Sequence, residues 1–469
     1  MHNSLTPSPR LLSSAEMAAR NGNPTRRNRL SGVASAATAA AGGLVATSCR
    51  TFSPSPSAPV AIGPTPPATV KIPGGLEIRN ARFFHDDRPF VINGMNYWSA
   101  LPLSRQGNSV GWDQVRRDLD HLQSVGINTL RILGASEGPN SAPFRIVPAL
   151  QPTQGQYDPD AVAGLLRLVD ELGRRKLFAI LVMNNFWHWS GGMTQYLAWA
   201  GEGPVPYPPP HPGGTWGRFQ KHAARFYSNA HAKKAFQDLL GFLVPQLKSS
   251  PAVIWELANE PRGIDNTEAF RAWIDQTAGF IKAHAPGQLV TTGSEGQTPT
   301  PRGSGTDVVR DHESPHIDFI TFHLWAQNWG WIDPDNIESG FAKAVRLATA
   351  YINDHAARAA TLGKPLLLEE FGFPRDLGSF DPASPTTWRD RYFRQIYGLV
   401  HTLLPTTTLA GIMPWAWSGD QRPPRPGALW KPGDPFIGDP PHEPQGWYGI
   451  YAKDTTLQII QAFAQNAVG

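Results

Sequence analysis

Two short segments hold the residues most able to do chemistry: Trp255-Glu-Leu-Ala-Asn-Glu-Pro-Arg262 and Leu366-Leu-Leu-Glu-Glu-Phe-Gly372. Each is an apolar run that ends in glutamate. Such runs have the length and bounds of strands buried on both faces, as parallel sheets require, which puts Glu260 and one of Glu369 and Glu370 at C-terminal strand ends. In an α/β barrel that is the rim where catalytic groups stand. Two carboxyls held across a pocket suit cleavage of a glycosidic bond, one protonating the leaving oxygen while the other attacks or activates water.

Neighbours on a strand point to opposite faces, so only one of Glu369 and Glu370 is expected in the pocket, and residue spacing leaves the choice open. An ionised carboxyl beside a second one needs a cation or donors to stay charged. Arg131, within Thr129-Leu-Arg-Ile-Leu133, is the candidate cation, and His323, within Thr321-Phe-His-Leu-Trp325, is expected at the rim. The Asn259 amide is placed to hydrogen-bond a substrate hydroxyl, and Pro261 restricts Glu260 and helps end its strand. Histidines occur singly without ligand spacing and the body holds no thiolate, so no metal and no other cofactor is expected.

The elements that must position these groups alternate between short apolar runs and amphipathic segments. Candidate strands are Phe90–Asn96, Thr129–Leu133, Phe178–Met183, Val253–Asn259, Leu289–Thr292, Phe319–His323, Leu366–Glu370 and Ala410–Trp415. Val162, Leu165, Leu166, Val169 and Leu172 make one helical stripe, and further helices fit Trp112–Ser124, Glu268–His284, Phe341–Leu362, Trp388–Leu404 and Leu457–Ala464. Eight such repeats predict an α/β fold, a closed (β/α)8 TIM barrel.

The loops after the first, third, sixth and eighth strands are long, rich in Gly and Pro, and carry twelve of the sixteen tryptophans. Flat indole faces match the C–H faces of pyranose rings, so the set suggests a sugar cleft. Trp98, Trp187 and Trp415 lie nearest the strand ends.

Formal charge is +4 overall, yet residues 1–76 carry seven Lys/Arg against one Glu, a net of +6, which leaves −2 for the body. A nucleic-acid partner is therefore not expected. Thr25-Arg26-Arg27-Asn28-Arg29-Leu30-Ser31 resembles a twin-arginine export motif, and an uncharged Ala/Gly-rich stretch follows it, with Met17 as an alternative start. The stretch ends at Cys49, the only cysteine, where Val45-Ala46-Thr47-Ser48-Cys49 resembles a bacterial lipoprotein box. The expected organisation is an export signal over 1–49, a Pro/Ser/Thr-rich tether over 50–76 and a catalytic domain over 77–469. An exported bacterial protein follows, secreted or held at the envelope, monomeric, and touching a membrane only through a lipid on Cys49.

Trp255–Arg262, Leu366–Gly372, Arg131 and the run Asn184-Asn-Phe-Trp-His-Trp-Ser-Gly-Gly-Met-Thr-Gln-Tyr-Leu-Ala-Trp199 resemble glycoside hydrolase family 5, specifically its β-mannanase branch. Phe90–Trp98, Gly293-Ser-Glu-Gly296 and Asp439-Pro-Pro-His-Glu-Pro-Gln-Gly-Trp447 add to the resemblance, which spans roughly residues 77 to 469. It implies a (β/α)8 barrel that hydrolyses internal β-1,4-mannosidic bonds with retention, with Glu260 as acid/base and Glu370 as nucleophile. By the same resemblance Arg131, Asn259 and His323 line the cleavage subsite and Trp415 is its stacking platform. Trp325 stands where many members place a tyrosine that hydrogen-bonds the nucleophile; an indole N–H could donate in its place. The implied partner is β-mannan or its oligosaccharides. Two alternatives stand beside it: a β-1,4-glucanase of the same fold, and an inactive surface glycan-binding protein.

Overall fold

The structure, a computed structural model, describes residues 71–299 and 303–467. The expected leader with Cys49, and the tether as far as residue 70, lie outside the described residues. Leu76, expected in the tether, is instead buried among core side chains, so the packed body starts before residue 77.

That body opens with a feature not expected from the sequence. β1 (Glu77–Arg79), β2 (Arg82–His85) and β3 (Arg88–Phe90) form an antiparallel meander. Its two-residue turns, Asn80-Ala81 and Asp86-Asp87, all take positive φ, as hairpin turns matched to strand twist require. The expected strand Phe90–Asn96 is thereby divided, with Phe90 ending the meander.

Eight parallel strands follow: β4 (Ile92–Asn96), β5 (Thr129–Leu133), β6 (Phe178–Val182), β7 (Val253–Glu256), β8 (Val290–Thr291), β9 (Ile320–Leu324), β10 (Leu366–Phe371) and β11 (Leu409–Ile412). They form one sheet in the order β8-β7-β6-β5-β4-β11-β10-β9. Across the remaining seam, the Asp318 N–H donates to Val290 O at 2.8 Å, the Thr321 hydroxyl to Ser294 O at 3.0 Å and the His323 N–H to Glu295 O at 3.2 Å. The expected (β/α)8 barrel is present.

Inside it, Ile92, Phe178, Ile180, Ile254, Leu367 and Met413 pack together, and Phe83 of β2 seals the N-terminal end, edge-on to Phe319 at 5.3 Å. A Cβ at Gly94 would meet Met413 Cε at 2.5 Å, so glycine on β4 makes room for this packing. The rim at the other end is left free for polar groups.

Outside the sheet, helix Pro159–Arg174 shows why these segments are helical. The Asp158 carboxylate accepts from the N–H groups of Asp160 and Ala161, Pro159 occupies the first turn, and Leu165, Leu168, Val169 and Leu172 face the sheet. The other expected helices occur at Ser109–Ser124, Thr267–His284, Ile337–Leu362, Thr387–Leu403 and Thr456–Ala467. Helix Ala230–Leu247 was not expected, although Phe236, Leu239, Leu240, Leu243 and Leu247 carry the helical spacing; Pro245, a breaker in sequence, lies inside its end. Among the described residues no helix is long and apolar enough to cross a membrane.

The loop after β6 contains helices Gly192–Trp199 and Trp216–Ala223, and the long loop after β11 is tied at its base by the parallel pair β12 (Trp417–Gly419) and β13 (Ile450–Tyr451). Trp199, Trp216 and Trp417 therefore sit in short elements rather than in bare loop.

Candidate active site

The expected strand Val253–Asn259 ends three residues early, at Glu256. Beyond it the chain runs as a loop: Asn259 bridges to Asn185, and the Glu260 N–H donates to Gly293 O at 3.0 Å. Gly293 has a φ of +75°, and a Cβ there would meet Ala258 O at 2.0 Å and Glu256 Oε1 at 2.2 Å, so only glycine lets the two loops pass this closely. Glu260 itself takes a φ of +47°, a left-handed conformation that costs a non-glycine residue about 1 kcal/mol and that the surrounding bonds maintain.

Arg131, on β5, lies at the floor with 3% exposure. Its Nε donates to Glu256 Oε2 at 2.7 Å and its Nη2 to Glu256 Oε1 at 2.6 Å and Asn259 Oδ1 at 2.8 Å. Nη1 reaches Asn96 Oδ1 at 3.0 Å and also bonds Glu370 Oε1. Burial alone would lower the affinity of this guanidinium for its proton, but Glu256, Glu369 and Glu370 reverse that and raise it well above the ordinary arginine value. Glu256, unforeseen in sequence because it sits inside the apolar run, is pushed up by its own burial against the opposing pull of Arg131.

Glu369 and Glu370 both reach the buried polar cluster, although strict alternation along a strand would send them to opposite faces. The register against β9 shifts between Leu368 and Glu370, an irregularity that breaks strict alternation. Both carboxyls consequently meet the same two cations: Glu369 Oε2 lies 3.7 Å from Arg131 Nε and 3.4 Å from His323 Nε2, while Glu370 bonds Arg131 and lies 3.3 Å from His323 Nδ1. Glu369 is wholly buried, and Glu370 is 3% exposed.

His323, on β9, joins the two sides. Nδ1 lies 2.8 Å from Glu260 Oε1, so one ring nitrogen serves both Glu260 and Glu370. Burial favours its neutral form, but Glu370 and the bonds to Glu260 and Glu369 outweigh that and raise it to about 10. The other oxygen of Glu260 accepts from Trp187 Nε1 at 2.6 Å.

The surroundings of Glu260 and Glu370 shift the two carboxyls in opposite directions. Burial pushes Glu260 up, yet the His323 bond and charge, Arg262 and the Trp187 N–H together hold it below the usual carboxylate range. Glu370 is raised by its burial, opposed by His323 and Arg131 and reinforced by Glu260 and Glu369. Of the three groups, His323 is the one whose surroundings most favour its protonated form, because carboxyls flank it on both ring nitrogens.

Ligand atoms of Glu260, His323 and Glu370 all lie within 4.8 Å of one another, the one such group among the described residues. The charged imidazole is a donor between two carboxylates, whereas a metal ligand must be neutral and unprotonated at its binding nitrogen. A hydrogen-bonded cluster describes the group better than a metal site.

The tryptophans divide by role. Trp98 and Trp415, with Trp189, wall a pocket whose floor is Asn96, Arg131 and Asn259. Trp98 is fixed by a 2.7 Å bond from Nε1 to Gly438 O. Trp189 was not singled out from the sequence, where it is one of several in its loop. Trp187 is half-buried beside Glu260: its ring stacks on Phe219 and its N–H holds the carboxylate. Trp325 does not take over the tyrosine's bond to Glu370; its ring packs on Tyr448 at 4.9 Å and near Trp415. The nucleophile position is held by Arg131 and His323 instead. Asn259 spends its oxygen on Arg131 and one amide hydrogen on Asn185 Oδ1 at 3.2 Å, which leaves one hydrogen for a ligand.

A barrel that brings two carboxyls together at the C-terminal side of its strands, beside a pocket walled by tryptophan, places this protein among the glycoside hydrolases. Residues 76–468 match the profile described as GH family 5 beta-mannosidase-like, and the chain belongs to that family. Mannan endo-1,4-beta-mannosidase A of Podospora anserina is 29% identical over 314 residues, 64% of this chain and 74% of that protein. Mannan endo-1,4-beta-mannosidase 2 of Oryza sativa subsp. japonica is 27% identical over 367 residues, 74% of this chain and 77% of that protein. The solved glycoside hydrolase family 5 mannosidase from Rhizomucor miehei is 31% identical with a TM-score of 0.76, covering 85% of this chain and 98% of that one. An endo-1,4-beta-mannanase of the same organism shares the fold, at 21% identity and a TM-score of 0.60 over 84% of this chain and 99% of that one.

Proposed function

We propose that this enzyme cleaves internal β-1,4-mannosidic bonds of mannan, glucomannan and galactomannan with retention, Glu370 acting as nucleophile and Glu260 as acid/base. The observation that carries the reading is that oxygens of the two carboxyls lie within 4.8 Å of each other, on the side of the retaining spacing of about 5–5.5 Å rather than the inverting spacing of about 6.5–9.5 Å. The relatives named mannan endo-1,4-beta-mannosidases support the choice of polymer.

In the first step the Nδ1 proton of His323 passes along its 2.8 Å bond to Glu260. Arg131 holds Glu370 ionised, and its carboxylate attacks the anomeric carbon as the bond to the leaving oxygen breaks; Glu260 delivers its proton to that oxygen. Glu260, now a carboxylate, takes a proton from water. The resulting hydroxide displaces Glu370 from the glycosyl ester and restores its carboxylate, and the proton that Glu260 took from water returns along the same bond to His323 Nδ1. Trp415, Trp98 and Trp189 shed water from the sugar faces, and the free Asn259 hydrogen bonds a hydroxyl beside the cleaved linkage.

Reducing-sugar release from β-1,4-mannan and from carboxymethyl cellulose, by this chain and its Glu260→Gln and Glu370→Gln variants, tests the reading. Mannan hydrolysis lost in both variants supports it; hydrolysis of cellulose alone moves the substrate to glucan, and binding without hydrolysis leaves a glycan-binding protein. A second reading, release of single mannose units from chain ends, is favoured by the closer match to the structure described as a mannosidase (TM-score 0.76) than to the one described as an endo-mannanase (0.60). Mannose as the sole early product would select it, whereas a ladder of oligosaccharides selects internal cleavage. Export and anchoring through Cys49 rest on the leader's residues, and a Cys49→Ala variant that stays in the membrane fraction would contradict the anchor.

A further inference from the structure

Both groups that bond the Glu260 carboxyl lead back to one buried residue, Glu295. Its side chain grips Arg262: Oε2 accepts from Nη2 at 2.9 Å and Oε1 lies 2.6 Å from Nε, with Glu295 2% and Arg262 5% exposed. Arg262 is also held by Gln220, its Nη1 donating to Gln220 Oε1 at 2.8 Å, and its guanidinium lies 4.9 Å from the centre of the Trp187 ring. Trp187 in turn donates to Glu260 Oε2 at 2.6 Å. The Glu295 main-chain carbonyl meanwhile accepts the His323 N–H at 3.2 Å and the Tyr351 hydroxyl at 3.1 Å, and His323 bonds Glu260 Oε1.

We infer that Glu295 is a positioning residue for the acid/base: through Arg262 and Trp187 on one side and the His323 backbone on the other it fixes both oxygens of Glu260, and its charge tempers that of Arg262 so that Glu260 can take up the proton that His323 passes to it in the first step. The inference rests on Glu260 being the acid/base. A buried guanidinium favours the ionised form of a neighbouring carboxyl, and an opposing carboxylate on its far side weakens that pull. The charged and titratable groups facing Glu260 are His323, Arg262, Glu295, Glu370, Glu443 and Tyr351; those facing Glu295 are Arg262, Glu260, His323 and Tyr351. Arg262 is the one cation common to both sets that does not itself bond Glu260.

Opposite signs in two variants make the test specific. Glu295→Gln keeps an acceptor for Arg262 but removes the charge, so the proton that His323 and Glu260 share is lost more readily: the alkaline limb of kcat/KM should move down by roughly half a unit to one unit. The double variant Arg262→Met with Glu295→Met removes the cation too, folds without an unpaired buried charge, and should move the limb up. On mannotriose, kcat in Glu295→Gln should fall about tenfold, within the range for general acid catalysis. On 2,4-dinitrophenyl β-mannoside, whose leaving group needs no proton, the first step should keep its wild-type rate. Limbs that superimpose on the wild type, or that move in the same direction in both variants, overturn the inference. Failure of the underlying reading looks different: Glu260→Gln would then slow both substrates equally.

Discussion

Arg131 and Glu256 form a bidentate buried ion pair beneath the site, with Nε to Oε2 at 2.7 Å and Nη2 to Oε1 at 2.6 Å. The pair locks the guanidinium plane, which aims Nη1 at Glu370 and the remaining Nη2 hydrogen at Asn259. A planar fork is required, since a single ammonium cannot meet these partners together.

Arg131→Lys should therefore lower kcat on mannan by about 100-fold or more, the scale seen when one preorganised donor is lost, and destabilise the fold by about 1–3 kcal/mol as Glu256 keeps a cation but loses one of its two bonds. Steady-state kinetics and urea unfolding check both. Retained kcat would show that Glu370 needs no guanidinium.

His323→Gln removes the cation shared by Glu260 and Glu370. Glu370 is already raised by burial, and losing the opposing charge raises it further, so a higher pH is needed to ionise the nucleophile. The acid limb of kcat/KM should shift upward by about one unit or more, with kcat lowered about 100-fold. A limb that stays in place or moves down would contradict the shared-proton arrangement.

Phe83→Ala separates stability from catalysis. Phe83 is fully buried at the N-terminal end of the barrel, far along the strands from the carboxyls, and its truncation should cost about 3–5 kcal/mol. Thermal or urea unfolding should register the loss while kcat/KM below the transition stays at the wild-type value. A matching fall in kcat/KM would mean that the seal governs the rim as well.

The barrel was legible because parallel strands buried on both faces leave uninterrupted apolar runs such as Phe178–Val182, and all eight were found. The meander escaped because its strands are short and its exposed residues, Arg79, Asp86, Asp87 and Arg88, read as a polar loop. Glu260 and His323 were legible from their place at or beyond the ends of such runs and Arg131 as the cation within one, whereas the choice of Glu370 over Glu369 came from the family resemblance. Glu256 was hidden inside one, since a carboxylate at the strand end looks like an interruption until Arg131 is opposite it. The inward turn of Glu369 depends on a register shift against β9, a relation between strands that a period of two along one strand does not reveal. Trp187 was legible as a rim residue, but its bond to Glu260 follows from a loop fold anchored by Phe219 and Arg262.

The most direct measurement is to trap the glycosyl-enzyme. Incubation with 2-deoxy-2-fluoro-β-mannosyl fluoride slows the second step, and peptide mapping by mass spectrometry locates the attached sugar. One sugar bound through Glu370 is the predicted result. A sugar on Glu369 or Glu260, or no adduct while the probe is consumed, would contradict the assignment of Glu370 as the nucleophile of a retaining reaction.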